Sequence, residues 1–466
     1  MLLFCGDDDY SDECRRCGEA DIEAMTVHGS LASDERQVIV NRTVAAATEA
    51  PLATLGAVFR VRQALKRWPV AGWLLRLVRD IFVTRISILS FPLHIARMQR
   101  LMREAEDILC ANRPEAVVLP HIDLGGLSGC MALQAKRQGT PVFVLPYTWI
   151  FREEISKPIC TKEEYSVRTF VGTCIARRYP HWTYEACLYL PPPRILALEW
   201  LGLSTGNPWM ADAMADAIAV DSAIMQESYV LDGVERSRCK VTGSASHDIL
   251  ARANADAGRA REILAGLGLA VTEGVPAFAL SFLPPDQTGN QMGGFEYASY
   301  LDMLRFWIAT VTENSELPVV FSLHPRMSPL RGLLLSEFPE MTIYEGDACE
   351  LIPAATYCAG QFGGMLRFAL ACAKPVLYFD VYHYQMGSNQ FLSAAAVVDV
   401  GEKGSFAGAV RRMSGDREYR SSLEQAAGAE AGRWGILDGK AVGRIEDLIL
   451  EAIPGAIHAP VAREPG

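Results

Sequence analysis

The sequence predicts an α/β protein: two Rossmann-like, doubly wound parallel-sheet domains with a helical N-terminal insertion. Three observations carry this expectation. The chain has 466 residues, too many for one ordinary hydrophobic core. Apolar runs of strand length alternate with helix-length stretches from about residue 114 to 250, the pattern of βαβ units. The alternation then restarts at residue 276 and continues to about 380, which requires a second sheet.

Taken in order, residues 40–112 read as mostly helical, with breaks near Trp68-Pro69 and Phe91-Pro92. In "HIARMQRLMREAEDILCANRP" the apolar residues fall at helical spacing. "EAVVLPHIDLGG" is a buried strand with a glycine-rich exit. "LSGCMALQAKRQG" is a helix stopped by Gly139, and "TPVFVLPYT" is the next strand. Residues 217–243 hold a short strand, a helix and a second short strand ending in Thr242-Gly243. The second cycle runs through strand 276–283, helix 298–314, strand 318–323, a helix near 329–337, "MTIYEG", "TYCAGQ", a helix over 364–372 and "KPVLYFD". The expected division is 1–255 with a basic helical segment at 58–103, then 270–415, closing helices over 416–452 and a loose tail over 453–466.

Open parallel sheets bind ligands beyond the carboxyl ends of their strands. In the second domain those ends carry Pro284, Pro285 and Asp286, then His324, Pro325 and Arg326, then Gly363 and Gly364 at a helix start, and finally Asp380, Tyr382, His383 and Tyr384. Cationic side chains beside a glycine-led helix N-terminus suit a phosphate or diphosphate. Tyr382 or Tyr384 would stack on a base or sugar. Each residue also has a plainer reading: a strand-end histidine often only bonds its own loop, and paired glycines before a helix often only pack tightly.

The formal net charge of −11 argues against a general nucleic-acid binder. Neither a signal peptide nor a transmembrane helix is expected: the first residues turn acidic early, and the apolar stretch 70–93 is broken by Arg76, Arg79, Asp80 and Arg85. The twelve cysteines are scattered, as for reduced thiols in a cytoplasm. Cys14 and Cys17 form a CxxC near Cys5 but lack a second pair, so no metal is expected. From Arg60 to Arg100 there are nine Lys/Arg and one acid, Asp80, interleaved with Trp68, Trp73, Phe82 and Phe91. That stretch is either a peripheral patch for an anionic membrane surface or a helix packed on the first domain.

Three stretches give the chain a resemblance to the GT-B superfamily, which includes nucleotide-sugar glycosyltransferases and UDP-N-acetylglucosamine 2-epimerases. "VTGSASHDIL" (241–250) resembles the segment that closes the first domain, "FSLHPRMS" the His-Pro loop of the second, and "AGQFGGMLRFALACAKPVLYF" its phosphate loop, helix and Lys-Pro strand. The ending "DGKAVGRIEDLI" is similar to surface-polymer transferases. The resemblance covers roughly residues 114–450 and implies two domains facing a cleft, acceptor side first. It implies a nucleotide-sugar donor of CMP or UDP type, a glycan or lipid-linked acceptor, and metal-independent inversion without a cofactor. Phosphate would be held by His324, Pro325, Arg326, Gly363, Gly364, Tyr382 and His383. The base would be Asp123 or His121 at the end of "EAVVLP", with Glu153 and Glu154 as runners-up. Departures accompany it. Leu366, Arg367 and Phe368 stand where the epimerases have Gln-Glu-Glu, and "SFLPPDQTGNQ" stands where they have a His-Arg-Arg-Glu loop. Epimerase activity and a non-catalytic binding role are therefore the alternatives to glycosyl transfer.

Overall fold

The computed structural model describes residues 2–4, 24–26, 90–146, 149, 152–269, 276–288, 295–384 and 390–453. Cys5, Cys14, Cys17 and the basic stretch before residue 90 lie outside them. Two six-stranded sheets form the framework. The first contains β1 (Leu2–Phe4), β2 (Ala24–Thr26), β3 (Ala116–Leu119), β4 (Val142–Val144), β7 (Ala217–Val220) and β8 (Cys239–Val241), in the order β2-β1-β3-β4-β7-β8. A small antiparallel hairpin, β5 (Thr183–Tyr184) and β6 (Cys187–Leu188), stands apart. The second contains β9 (Ala279–Phe282), β10 (Val319–Ser322), β11 (Thr342–Tyr344), β12 (Tyr357–Gly360), β13 (Val376–Phe379) and β14 (Val397–Val400), in the order β11-β10-β9-β12-β13-β14. Pairing in both sheets is parallel, so both are doubly wound, as expected.

By compactness the chain forms one unit of Met1–Val142 with Lys162–Met214 and another of Phe143–Thr161 with Ala215–Gly466. In the second unit all four residues of β9, β12 and β13 are buried, as required of inner strands covered on both faces. Trp307, Phe379 and Phe406 stack at the centre of its core, with ring centroids 5.8 Å (Trp307–Phe379) and 4.6 Å (Phe379–Phe406) apart. The indole N–H of Trp307 donates to Ser281 Oγ at 3.0 Å, satisfying its one polar group.

The closing motif of the first sheet has a structural purpose. Asp248 is buried and accepts from the amides of Ala441 (2.8 Å) and Val442 (2.9 Å), capping helix Ala441–Glu451. Gly243, at φ 81°, sits where a Cβ would press on Ala441. Asp248→Ala would orphan two amides at once. It is expected to cost about 2 kcal/mol, read as a lower urea midpoint with unchanged slope.

Some elements depart from expectation. Helices Phe170–Arg178, Pro192–Trp200 and Lys403–Gly415 and strands β1, β2 and β14 were not foreseen. Cys110, Cys130, Cys174, Cys239, Cys349, Cys358 and Cys372 are free thiols. Cys160 and Cys187 are disulfide-bonded, so the reduced-thiol expectation fails for them. No helix among the described residues is long and apolar enough to cross a membrane.

Candidate functional site

The strand order of the second sheet reverses between β9 and β12, and ligands in such sheets sit at the carboxyl ends on either side of that point. Strand β10 flanks β9 on the other side, so the tips of β10 and β12 are about 10 Å apart at ordinary strand spacing.

At the β10 tip, His324 caps the short 3-10 helix Pro325–Leu330, its Nδ1 accepting from the amide of Arg326 at 3.2 Å. That bond places the neutral ring's proton on Nε2. Burial, then the charge of Arg326, lowers the His324 pKa and keeps the ring neutral. His324 therefore offers an N–H donor, while Pro325 and Arg326 are exposed beside it.

At the β12 tip, Gly363 caps helix Gly364–Ala371 in an extended conformation that any residue adopts. A Cβ at Gly363 would meet only the Gln361 carbonyl at 3.9 Å, and one at Gly364 only Arg367 Nη2 at 3.8 Å. Neither tight packing nor backbone strain requires these glycines, and the space where each Cβ would stand is open. Arg367 is buried, with Nη1 2.6 Å from Asp221 Oδ2 and its guanidinium 5.2 Å from the Trp149 ring centre. Its buried Nε has no hydrogen-bond partner. A partly paired cation thus lies beside a helix N-terminus.

The β13 tip is more structural than expected. Tyr382 is fully buried. Its ring stacks on Phe295 at 5.8 Å, and its hydroxyl donates to the Pro285 carbonyl at 2.6 Å. No face of Tyr382 remains for a base or sugar. Tyr384 donates to Gln287 at 2.6 Å, so both tyrosines tie the loop after β9 to the loop after β13. His383 is half-buried at φ 55°, a left-handed conformation held by the contacts of Asp380 with the amides of His383 and Tyr384. Such strain in a non-glycine residue gathers at functional sites.

Phe368, which stands where the resemblance places a glutamate, packs edge-on against His247 with ring centroids 5.2 Å apart. The His247 Nδ1 is engaged by Ser244, and burial lowers its pKa. A neutral, apolar pair thus occupies the acid's place. Glu154 stands in the first turn of helix Arg152–Cys160, and burial, opposed by Arg367, pushes it up to about 7. Glu153 pairs instead with Lys157 at 3.0 Å.

In the first unit, His121, Ile122 and Asp123 follow β3. Asp123 is exposed, its Oδ1 accepting from the amide of Gly125 at 2.9 Å. Its carbonyl accepts from Gly126 and Gly129; a Cβ at Gly129 would clash with that carbonyl, so glycine is required there. His121 is better placed for proton transfer. Its Nδ1 lies 3.2 Å from Oδ1 of Asp212, a buried carboxylate that also accepts from the amide of Ile122 at 2.7 Å. The His–Asp contact is an ion-pair approach rather than an aligned hydrogen bond. Burial alone would lower the His121 pKa, but Asp212, with Asp123 behind it, raises it on balance. Asp212 was not foreseen: it lies in the turn Pro208–Met214, 90 residues from the Ile122 it contacts, and no local signal marks it.

No family model matches the chain, and no curated protein matches it. Solved structures do. It is similar to the Staphylococcus aureus MnaA–UDP co-structure, at 11% identity and TM-score 0.47, covering 96% of this chain and 95% of that one. It is similar to the Neisseria meningitidis UDP-GlcNAc 2-epimerase bound to UDP-GlcNAc, at 14% identity and TM-score 0.46, covering 76% and 81%. It is similar to the H548A form of the wall teichoic acid polymerase TagF, at 12% identity and TM-score 0.46, covering 73% of each chain.

Proposed function

We propose that the protein is a GT-B-type glycosyltransferase that moves a sugar from a nucleotide-activated donor, of CMP or UDP type, to a glycan or lipid-linked acceptor in surface polysaccharide synthesis. The observation that carries this reading is the pair of flanking strand tips in the second sheet. A neutral His324 with a free Nε2–H and an exposed Arg326 stand on one; the Gly363 and Gly364 amides with the Arg367 guanidinium stand on the other. These are donors for a leaving phosphate or diphosphate, and preorganised donors of this kind stabilise charge that develops in the transition state. His383, held strained beside them, is a further candidate contact.

His121 is the general base in this reading, and Asp212 positions it. The negative charge of Asp212 beside Nδ1 favours the proton on that nitrogen, which leaves Nε2 to accept one. Asp123 and Glu154 remain the other carboxylates at strand ends, Glu153 being occupied by Lys157. The apolar Phe368–His247 pair favours transfer over 2-epimerisation, for which the resemblance implies acids. The same lack of an acid leaves a non-catalytic binding protein as the second reading.

The test is a thermal-shift screen with CMP, UDP, CDP and GDP, followed by donor turnover with and without acceptor. Stabilisation by none of them would favour the binding-protein reading, and conversion of a UDP-sugar without acceptor would favour the epimerase. Once a nucleotide is found, His324→Ala is expected to weaken it about tenfold, for loss of one charge-assisted hydrogen bond. Gly363→Ala is expected to leave the melting temperature unchanged, because the added Cβ meets nothing closer than 3.9 Å. It should nonetheless weaken the nucleotide by intruding on the phosphate. Unchanged affinity in both variants, measured by titration calorimetry, removes this phosphate site.

A further inference from the structure

A second cluster of cations lies in the first unit, away from every residue used above except the Asp123 loop. Helix Phe91–Asn112 presents His94, Arg97 and Met98 on one face, and helix Pro192–Trp200 presents Arg194 and Leu198 one turn apart. The two helices pack together. With Gly125 and Leu190 these side chains line a recess of about 260 Å³, much of it open to solvent. Its enclosed part holds no more than a water, so a larger group sits at the mouth, where Arg97 is exposed.

The charges here are unbalanced among the described residues. Among the described residues neither Arg97 nor Arg194 has an ion-pair partner. The described acids in the neighbourhood include Asp123, Glu104 and Glu164, which act on Cys130 and Tyr165. His94 feels both arginines, and burial, Arg194 and Arg97 together lower its pKa. Two like charges facing a shared recess repel one another, and an anion between them relieves that repulsion. Guanidinium forks match phosphate oxygens two at a time. The floor of Met98, Leu190 and Leu198 is apolar, and the same helices expose Leu93 (72%) and Trp200 (77%).

We propose that His94, Arg97 and Arg194 form a site for the phosphate or diphosphate group of a phosphorylated substrate, next to the loop that carries Asp123. Gly125 lines the recess and its amide bonds Asp123, so a phosphorylated acceptor bound here lies beside that loop. Assigning the ligand as acceptor rests on the transferase reading above; the anion site does not.

The test is calorimetric binding of inorganic pyrophosphate to the full chain, to Arg97→Gln/Arg194→Gln and to His324→Ala/Arg326→Gln. The expected result is binding to wild type, at least tenfold weaker in the Arg97/Arg194 pair and retained in the His324/Arg326 pair. No binding to wild type, equal affinity in the Arg97/Arg194 pair, or a loss confined to the His324/Arg326 pair overturns the site. Should the glutamine pair fail to fold, Arg194→Lys keeps the charge without the fork and is expected to lose about threefold; full affinity there also counts against the site. Sedimentation with phosphatidylcholine vesicles, with and without a polyprenyl diphosphate, separates the sources. Arginine-dependent capture by the diphosphate vesicles assigns a lipid headgroup, and pyrophosphate binding without capture assigns a soluble phosphate. If pyrophosphate binds as expected while no nucleotide stabilises the protein, the transferase reading fails and this site stands.

Discussion

Under the proposed transferase reading, replacing His121 with glutamine is expected to lower the turnover rate by about 10²–10⁴-fold, the contribution of a positioned general base. Substrate affinity changes little, because the imidazole acts on a proton that moves only in the transition state. The pH dependence identifies the group. The His121 pKa is raised above its usual 6.5 by Asp212 and Asp123 acting against burial. A base works when deprotonated, so kcat/KM rises with pH through an acid limb whose midpoint lies above 6.5. In Asp212→Asn the carboxylate is gone and burial remains, so that midpoint moves down while the maximal rate falls. The stability effect has the opposite pH sense. A raised histidine pKa stabilises the folded state below the unfolded pKa, and the contribution is lost as pH rises through the folded value. An acid limb that stays in place in Asp212→Asn, or full activity in His121→Gln, removes His121 from the role and leaves Asp123 or Glu154. A limb near 7 that moves in Glu154→Gln would identify Glu154, whose pKa burial pushes up to about 7.

Asp221→Ala is expected to destabilise the second unit by about 3–5 kcal/mol, because it strands a buried guanidinium. Arg367 is only 4% exposed, and its Nη1 bonds Asp221 at 2.6 Å. Trp149 covers the guanidinium face, and the Arg367 Nε already lacks a partner. Glu154 is the other acid that acts on Arg367, and burial has already raised its pKa. Differential scanning calorimetry reads the loss as a melting temperature lower by about 10 °C. The double variant Asp221→Ala/Arg367→Met removes both charges and is expected to recover most of the stability. It is not expected to recover nucleotide binding, since the cation beside Gly364 is then missing. An unchanged melting temperature in the single variant would mean that solvent or Glu154, rather than Asp221, compensates Arg367. The ion pair also gives the departures from the epimerase pattern a physical meaning. An acid at position 367 would face Asp221, and one at 368 would face the buried, neutral His247.

Much of the fold was legible because parallel strands buried on both faces leave unbroken apolar runs. Ala116–Leu119 and Val376–Phe379 are such runs, each preceded closely by a proline. Strand β14 escaped notice because it lies at the sheet edge with Asp399 exposed within it, and an edge strand needs no continuous apolar pattern. Helices Phe170–Arg178 and Pro192–Trp200 run only nine residues each, too short to show a clear period against their flanking prolines and arginines.

The sequence by itself determined which residue types stand at the strand ends: His324, Arg326, Gly363 and Gly364 in the second sheet, His121 and Asp123 in the first. Strand ends follow from local apolar pattern, and the residues just beyond them are simply the next in the chain. Only the tertiary structure decided which of these are free to act. It buried Tyr382 against Phe295 and set Asp212 behind His121. It joined Arg367 to Asp221 across 146 residues and turned Arg97 and Arg194 toward one recess. Each of these pairings links residues far apart in the chain, brought together by helix and strand packing. Periodicity and spacing, which act over a few residues, leave no trace of them in the sequence.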